Sequence, residues 1–112
     1  MFDYNALNPG IRETVKWLRE RSYDTQDSGD GATRQFECDQ PVPYVHIKAE
    51  PKWLVKEADR LRSDLYAEGI VVQAMNEEGT AVAIEASYNP ADGFAIITLW
   101  NVNDAVLLAP RC

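Results

Sequence analysis

Only a few side chains in this chain are of types that do chemistry, and their spacing limits what they can do together. His46 is the only histidine, and Cys38 and Cys112 are the only cysteines, with no Cys-x-x-Cys pair. A closed zinc site takes four ligands, usually thiolates and imidazoles, so these three residues do not make one. No metal and no cofactor is expected. Two free thiols in a reducing compartment are the default for such spacing. His46, Tyr44 and Glu85 would supply an acid–base group if they met on one sheet face. No residue in the pattern holds a nucleophile against that imidazole, and Ser28 and Ser87 lack the Gly-x-Ser-x-Gly context of a strained nucleophile turn. The chain reads as non-enzymatic, with a small hydrolase as the remotest alternative.

The stretch Asp24-Thr-Gln-Asp27-Ser-Gly-Asp30-Gly31 has the carboxylates of a cation loop but not their spacing. A calcium loop places ligands at positions 1, 3 and 5 and a glutamate at 12, whereas twelve residues from Asp24 or Asp27 end on Gln35 or Cys38. It lacks the Lys and the helix that follow a phosphate loop. Residues 24–34 have no apolar periodicity and many turn formers, so they read as an irregular recognition loop. Asp24, Asp27 and Asp30, with Glu37 and Asp39 beyond them, are the expected contacts to a basic partner. Tyr44 and Trp100 are the expected aromatic anchors, because such rings bury a large rigid surface and keep a polar handle. The alternative is a small-molecule or nucleotide-sequestering site, built from the turn amides of Ser28, Gly29 and Gly31 with His46.

Something must position these groups. Asn8-Pro9 opens a first helix, with Ile11, Val15 and Leu18 on one stripe, Trp17 on its flank, and an end near Arg21 or Ser22. Pro43 to Ala49 alternates, placing Val45, Ile47 and Ala49 on one face and Tyr44, His46 and Lys48 on the other, as in a half-buried strand. Pro51 starts a second helix, in which Leu54, Ala58, Leu61 and Leu65 form a stripe that ends before Gly69. Strands are expected at about 70–75, 80–88 and 94–101, joined by turns at Asn76–Gly79 and Asn89–Gly93. Phe94 to Asn101 is apolar on both faces, so this strand should be central. The expected architecture is a two-layer α+β sandwich in the order α-β-α-β-β-β. Its mainly antiparallel four-stranded sheet carries both helices on one face. The open face would then present Tyr44, His46, Lys48, Gln73, Met75, Glu85, Ser87, Thr98 and Trp100.

Composition bounds the function. With 112 residues, 46% of them apolar and 26% charged, the chain has material for one core, so residues 1–112 read as a single domain. No apolar run reaches the roughly 18 residues a bilayer helix requires, and no signal peptide opens the chain, which points to a soluble cytoplasmic protein. The net charge of −7 is unevenly spread: residues 70–112 hold five carboxylates and only Arg111 as a base. A surface that tracks a phosphate backbone needs clustered Lys and Arg, so direct nucleic-acid binding is not expected. An acidic surface instead favours a basic protein partner.

The stretch from Asn8-Pro-Gly-Ile-Arg to Arg21, followed by Tyr23-Asp-Thr, Asp27-Ser-Gly-Asp-Gly, Val42-Pro-Tyr-Val-His and Ala86-Ser-Tyr-Asn-Pro-Ala-Asp-Gly, resembles small proteins encoded by phages and prophages. Those motifs carry no catalytic residue to transfer. The resemblance implies a setting, the host bacterial cytosol, and an anti-defence role such as blocking a CRISPR effector or sequestering a nucleotide. Together these readings give an acidic inhibitor-type binding protein that occupies a basic, nucleic-acid-binding surface of a host protein. The open sheet face is also a surface through which two copies could dimerise.

Overall fold

Two proline-led turns set where the helices begin. A 3-10 turn at Pro9–Ile11 leads into α1 (Arg12–Glu20), and another at Pro51–Trp53 leads into α2 (Leu54–Ala67). Proline suits both starts because its fixed φ is helical and its missing N–H would have had no intrahelical acceptor. Asn8 precedes the first turn but makes no side-chain cap bond. The cap of α1 comes from far along the chain. Asp104 Oδ1 accepts from the Thr14 backbone N–H at 2.8 Å and from Thr14 Oγ1 at 3.1 Å. Both helices end alike. Ser22 (φ 69°) and Gly69 (φ 83°) take the left-handed conformation. The next residues, Tyr23 and Ile70, donate back to the carbonyls of Leu18 and Leu65 at 3.1 and 2.9 Å. This is the Schellman closure, and both following side chains are buried, as the motif favours.

The computed structural model describes residues 3–29, 43–72, 82–104 and 107. Its sheet consists of β1 (Asp24–Gly29), β2 (Tyr44–Ala49), β3 (Ala83–Asn89) and β4 (Phe94–Trp100) in the spatial order β1-β2-β4-β3, every pair antiparallel. The α+β class and the antiparallel four-stranded sheet with both helices on one face are as the sequence predicts. The strand inventory differs. The Asp- and Gly-rich stretch that reads as a loop forms edge strand β1, so the order along the chain is α-β-β-α-β-β. Pairing with β2 compensates for weak strand propensity, and a bulge between Thr25 and Asp27 interrupts the alternation that would have revealed it. Ile70–Val72 lie outside any strand, and the rest of the expected 70–75 strand falls outside the described residues.

β4 is central, as its two-sided apolarity requires. Val45 pairs with Leu99, Ile47 with Ile97 and Ala49 with Ala95, giving a continuous apolar face. Val15 and Leu18 of α1 and Leu61 and Leu65 of α2 pack on it, all fully buried. Each such side chain contributes about 1.5–3 kcal/mol on removal from water. Val102 and Leu107 join this core from the segment after β4. Beyond the helices' reach the β3–β4 hairpin runs on, and Ala86 and Tyr88 are exposed although they point to the helix side. Its turn is closed by an Asp92 N–H bond to the Asn89 carbonyl at 3.0 Å, with Gly93 at φ 73°.

Candidate functional site

The alternation that buries Val45, Ile47, Ile97 and Leu99 puts their neighbours on the opposite face of the sheet. Tyr44, His46 and Lys48 of β2 lie beside Trp100, Thr98 and Ile96 of β4. Asp24 and Asp27 on β1 border them on one side, and Glu85 and Ser87 on β3 border them on the other. Of the expected open-face residues, Gln73 and Met75 lie outside the described residues.

At one end of this face the aromatic side chains gather. The Tyr44 ring centroid is 5.1 Å from that of His46 and 6.1 Å from that of Trp100, both tilted. The Tyr44 ring lies over Gly29, its cross-strand partner; a Cβ there would stand 2.7 Å from Tyr44 Cε1. Any larger residue at position 29 would therefore displace the Tyr44 ring from this position. Tyr44 OH donates to Asp27 Oδ2 at 3.2 Å, and His46 Nδ1 stands 4.0 Å from the same oxygen. Trp100 Nε1 donates to Glu85 Oε2 at 3.3 Å. Each carboxylate thus holds a ring by its polar edge while its side chain stays exposed to solvent. Thr98, between the two groups, is buried.

The acid–base group that His46, Tyr44 and Glu85 would make if they met does not assemble. His46 and Glu85 both pair with Thr98, from opposite sides, so they stand two strand spacings apart, about 9–10 Å. Asp27, rather than Glu85, stands beside His46. Ser28 pairs with Val45, on the helix-covered face, and its N–H bonds to Asp27 Oδ1 at 2.9 Å. It is turned away from His46. Ser28 and Gly29 are strand residues, so the turn cradle expected of their amides is replaced by ladder pairing. Among the described residues, no group of three His, Cys, Asp or Glu side chains converges to hold a metal ion.

Of the residues expected to meet a partner, Asp24 and Asp27 sit on the exposed edge of the open face rather than on a free loop, with Tyr44 and Trp100 inside that edge. Asp30, Gly31, Glu37 and Asp39 lie outside the described residues. Sequence reasoning missed the other end of the face. There a cleft of about 310 Å³ is lined by Lys48, Trp53 and Phe94 among others. The signal was weak, because Trp53 lies in a turn and Phe94 opens a strand. No helix among the described residues is long and apolar enough to cross a membrane. Comparison with protein-family models, curated proteins and solved structures finds no match to this chain.

Proposed function

We propose that this chain is a non-catalytic binding protein whose open sheet face covers the basic, nucleic-acid-binding surface of another protein. The observation that carries this is the pairing of rings with carboxylates. Tyr44 and Trp100 present rigid aromatic surface, while Asp27 and Glu85 bind their polar edges and remain accessible to a cationic partner. Aromatic side chains of this kind supply most of the energy at protein interfaces, and surrounding charge sets orientation and association rate. With a net charge of −7, the chain repels polyanions, so a basic protein surface is the complementary occupant. The resemblance to phage-encoded proteins suggests the setting, interference with a host nucleic-acid-binding effector.

The test is capture from bacterial lysate, with three requirements on the captured protein. It should bind nucleic acid, be released by competing duplex DNA, and be lost with Tyr44→Ala and Trp100→Ala variants that retain the wild-type circular dichroism spectrum. Asp27→Asn should slow association at low salt and have less effect at high salt, because exposed charges are screened beyond about 8 Å at physiological ionic strength. Capture that survives both aromatic substitutions, or that duplex DNA does not reverse, would refute the proposal.

A further inference from the structure

We infer that the cleft lined by Lys48, Trp53 and Phe94, at the opposite end of the open face from Tyr44 and Trp100, binds a free mononucleotide: a flat ring system carrying phosphate. Arg21, Arg60 and Arg62 are paired with Glu68, Glu57 and Asp59. Lys48, Lys52 and Lys56, by contrast, have no carboxylate partner among the described residues. Their ammonium groups rest on the cleft's two aromatic rings instead. Lys48 Nζ is 4.7 Å from the Phe94 centroid, and Lys56 and Lys52 are 4.9 and 5.5 Å from that of Trp53.

Three lysines with no ion pair among the described residues therefore gather around two rings, in a chain of net charge −7. Three carboxylates also line the cleft; Glu57 is neutralised by Arg60, whereas Asp24 is held by a neutral amide and, like Glu50, keeps its charge. Asp24 accepts from Gln26 Nε2 at 2.6 Å, and Glu57 from Arg60 Nε at 2.6 Å. Glu50 is left to accept from a ribose hydroxyl or a base amine. An exposed cation–π contact is worth only about 0.5–1 kcal/mol, so a stacking base can displace an ammonium group from its ring at small cost. Base–aromatic stacking is worth about 1–3 kcal/mol, and the displaced lysines would then meet the phosphate as mobile point charges. The cleft's volume of about 310 Å³ lies at the small end of ligand sites, suited to a single nucleotide. A strand of nucleic acid would extend past the lysines onto the acidic edge of β1, so the free nucleotide is the favoured occupant.

The test needs no protein partner, so it stands or falls separately from the docking surface proposed above. The full chain is titrated with adenosine 5′-monophosphate, adenosine or inorganic phosphate while the indole N–H resonances of Trp17, Trp53 and Trp100 are followed by NMR. Trp53→Phe assigns the reporting signal. Saturable movement of the Trp53 resonance alone is expected with the monophosphate. Binding should weaken about tenfold or more for adenosine, for phosphate, and for a Lys48→Gln/Lys56→Gln variant that keeps the wild-type fold. No saturation with the monophosphate by about 10 mM would overturn the inference. So would equal binding of adenosine or of phosphate, an unaffected lysine variant, or a response centred on Trp100.

Discussion

Asp104 is the sharpest place to perturb this fold, because one carboxylate oxygen closes the start of α1 from 90 positions away. Thr14 is fully buried, and its N–H is one of the helix-start donors that lack an intrahelical acceptor. Asp104→Ala would leave both the N–H and the hydroxyl of Thr14 without their acceptor. A hydrogen bond to a charged group is worth about 1.5–3 kcal/mol net, and loss of a helix cap costs about 0.5–2 kcal/mol. The N–H bond is itself the cap, so these figures overlap rather than add. Asp104 is half-exposed, which lets water recover part of the loss. The expected cost is about 2 kcal/mol. Asp104→Asn keeps an acceptor oxygen and loses only the charge at the positive end of the helix dipole, about 0.5–1 kcal/mol. Thr14→Val removes the hydroxyl alone, and combined with Asp104→Ala it should cost less than the two singles together. Urea unfolding followed by circular dichroism measures all four variants. A cost below about 0.5 kcal/mol for Asp104→Ala would refute the assignment of this carboxylate as the cap of α1.

Leu61→Ala, at a fully buried position in the stripe of α2, should cost about 2–5 kcal/mol in the same assay; a loss typical of surface positions would place that stripe elsewhere. The buried Tyr23 phenol donates to Asp64 Oδ2 at 2.7 Å, and burial, reinforced by that bond, raises its pKa well above the ordinary 10.0. The unfolded chain would therefore lose this proton first, so stability should be intact below about pH 10 and fall as pH rises beyond it. In Tyr23→Phe that alkaline fall should be shallower than in the wild type, and equal slopes between pH 9 and 11 would contradict the role given to this phenol.

The elements whose period survives in the sequence were legible in it. The stripe Leu54, Ala58, Leu61 and Leu65 marks α2, and the two-sided apolarity of β4 marks its central place. β1 was not legible. Its residues, Asp24-Thr-Gln-Asp-Ser-Gly29, are turn formers whose strand state comes from backbone pairing with β2, a long-range contact that composition does not record. The same holds for the site. Alternation along β2 and β4 places Tyr44, His46 and Trp100 on one face, but only the register reveals that Asp27 reaches Tyr44 and that Glu85 serves Trp100 instead of His46. Asp104 had only a negative signal: no polar residue capable of capping stands at Ile11, where α1 needs one.

The central position of β4 bears on how the chain is made. β4 is the last of the described strands to leave the ribosome, yet it alone joins β2 to β3. Until it emerges, β2 has one edge unpaired, and Leu61 and Leu65 lack their partners Ile97 and Leu99. The nascent chain therefore carries an open strand edge beside an uncovered apolar surface, the combination that invites pairing with a second chain. Both hazards end when β4 inserts. Slowing translation over residues 83–100 would lengthen the exposed interval, so the aggregated fraction should rise with synthesis time even for a sequence whose finished fold is unchanged.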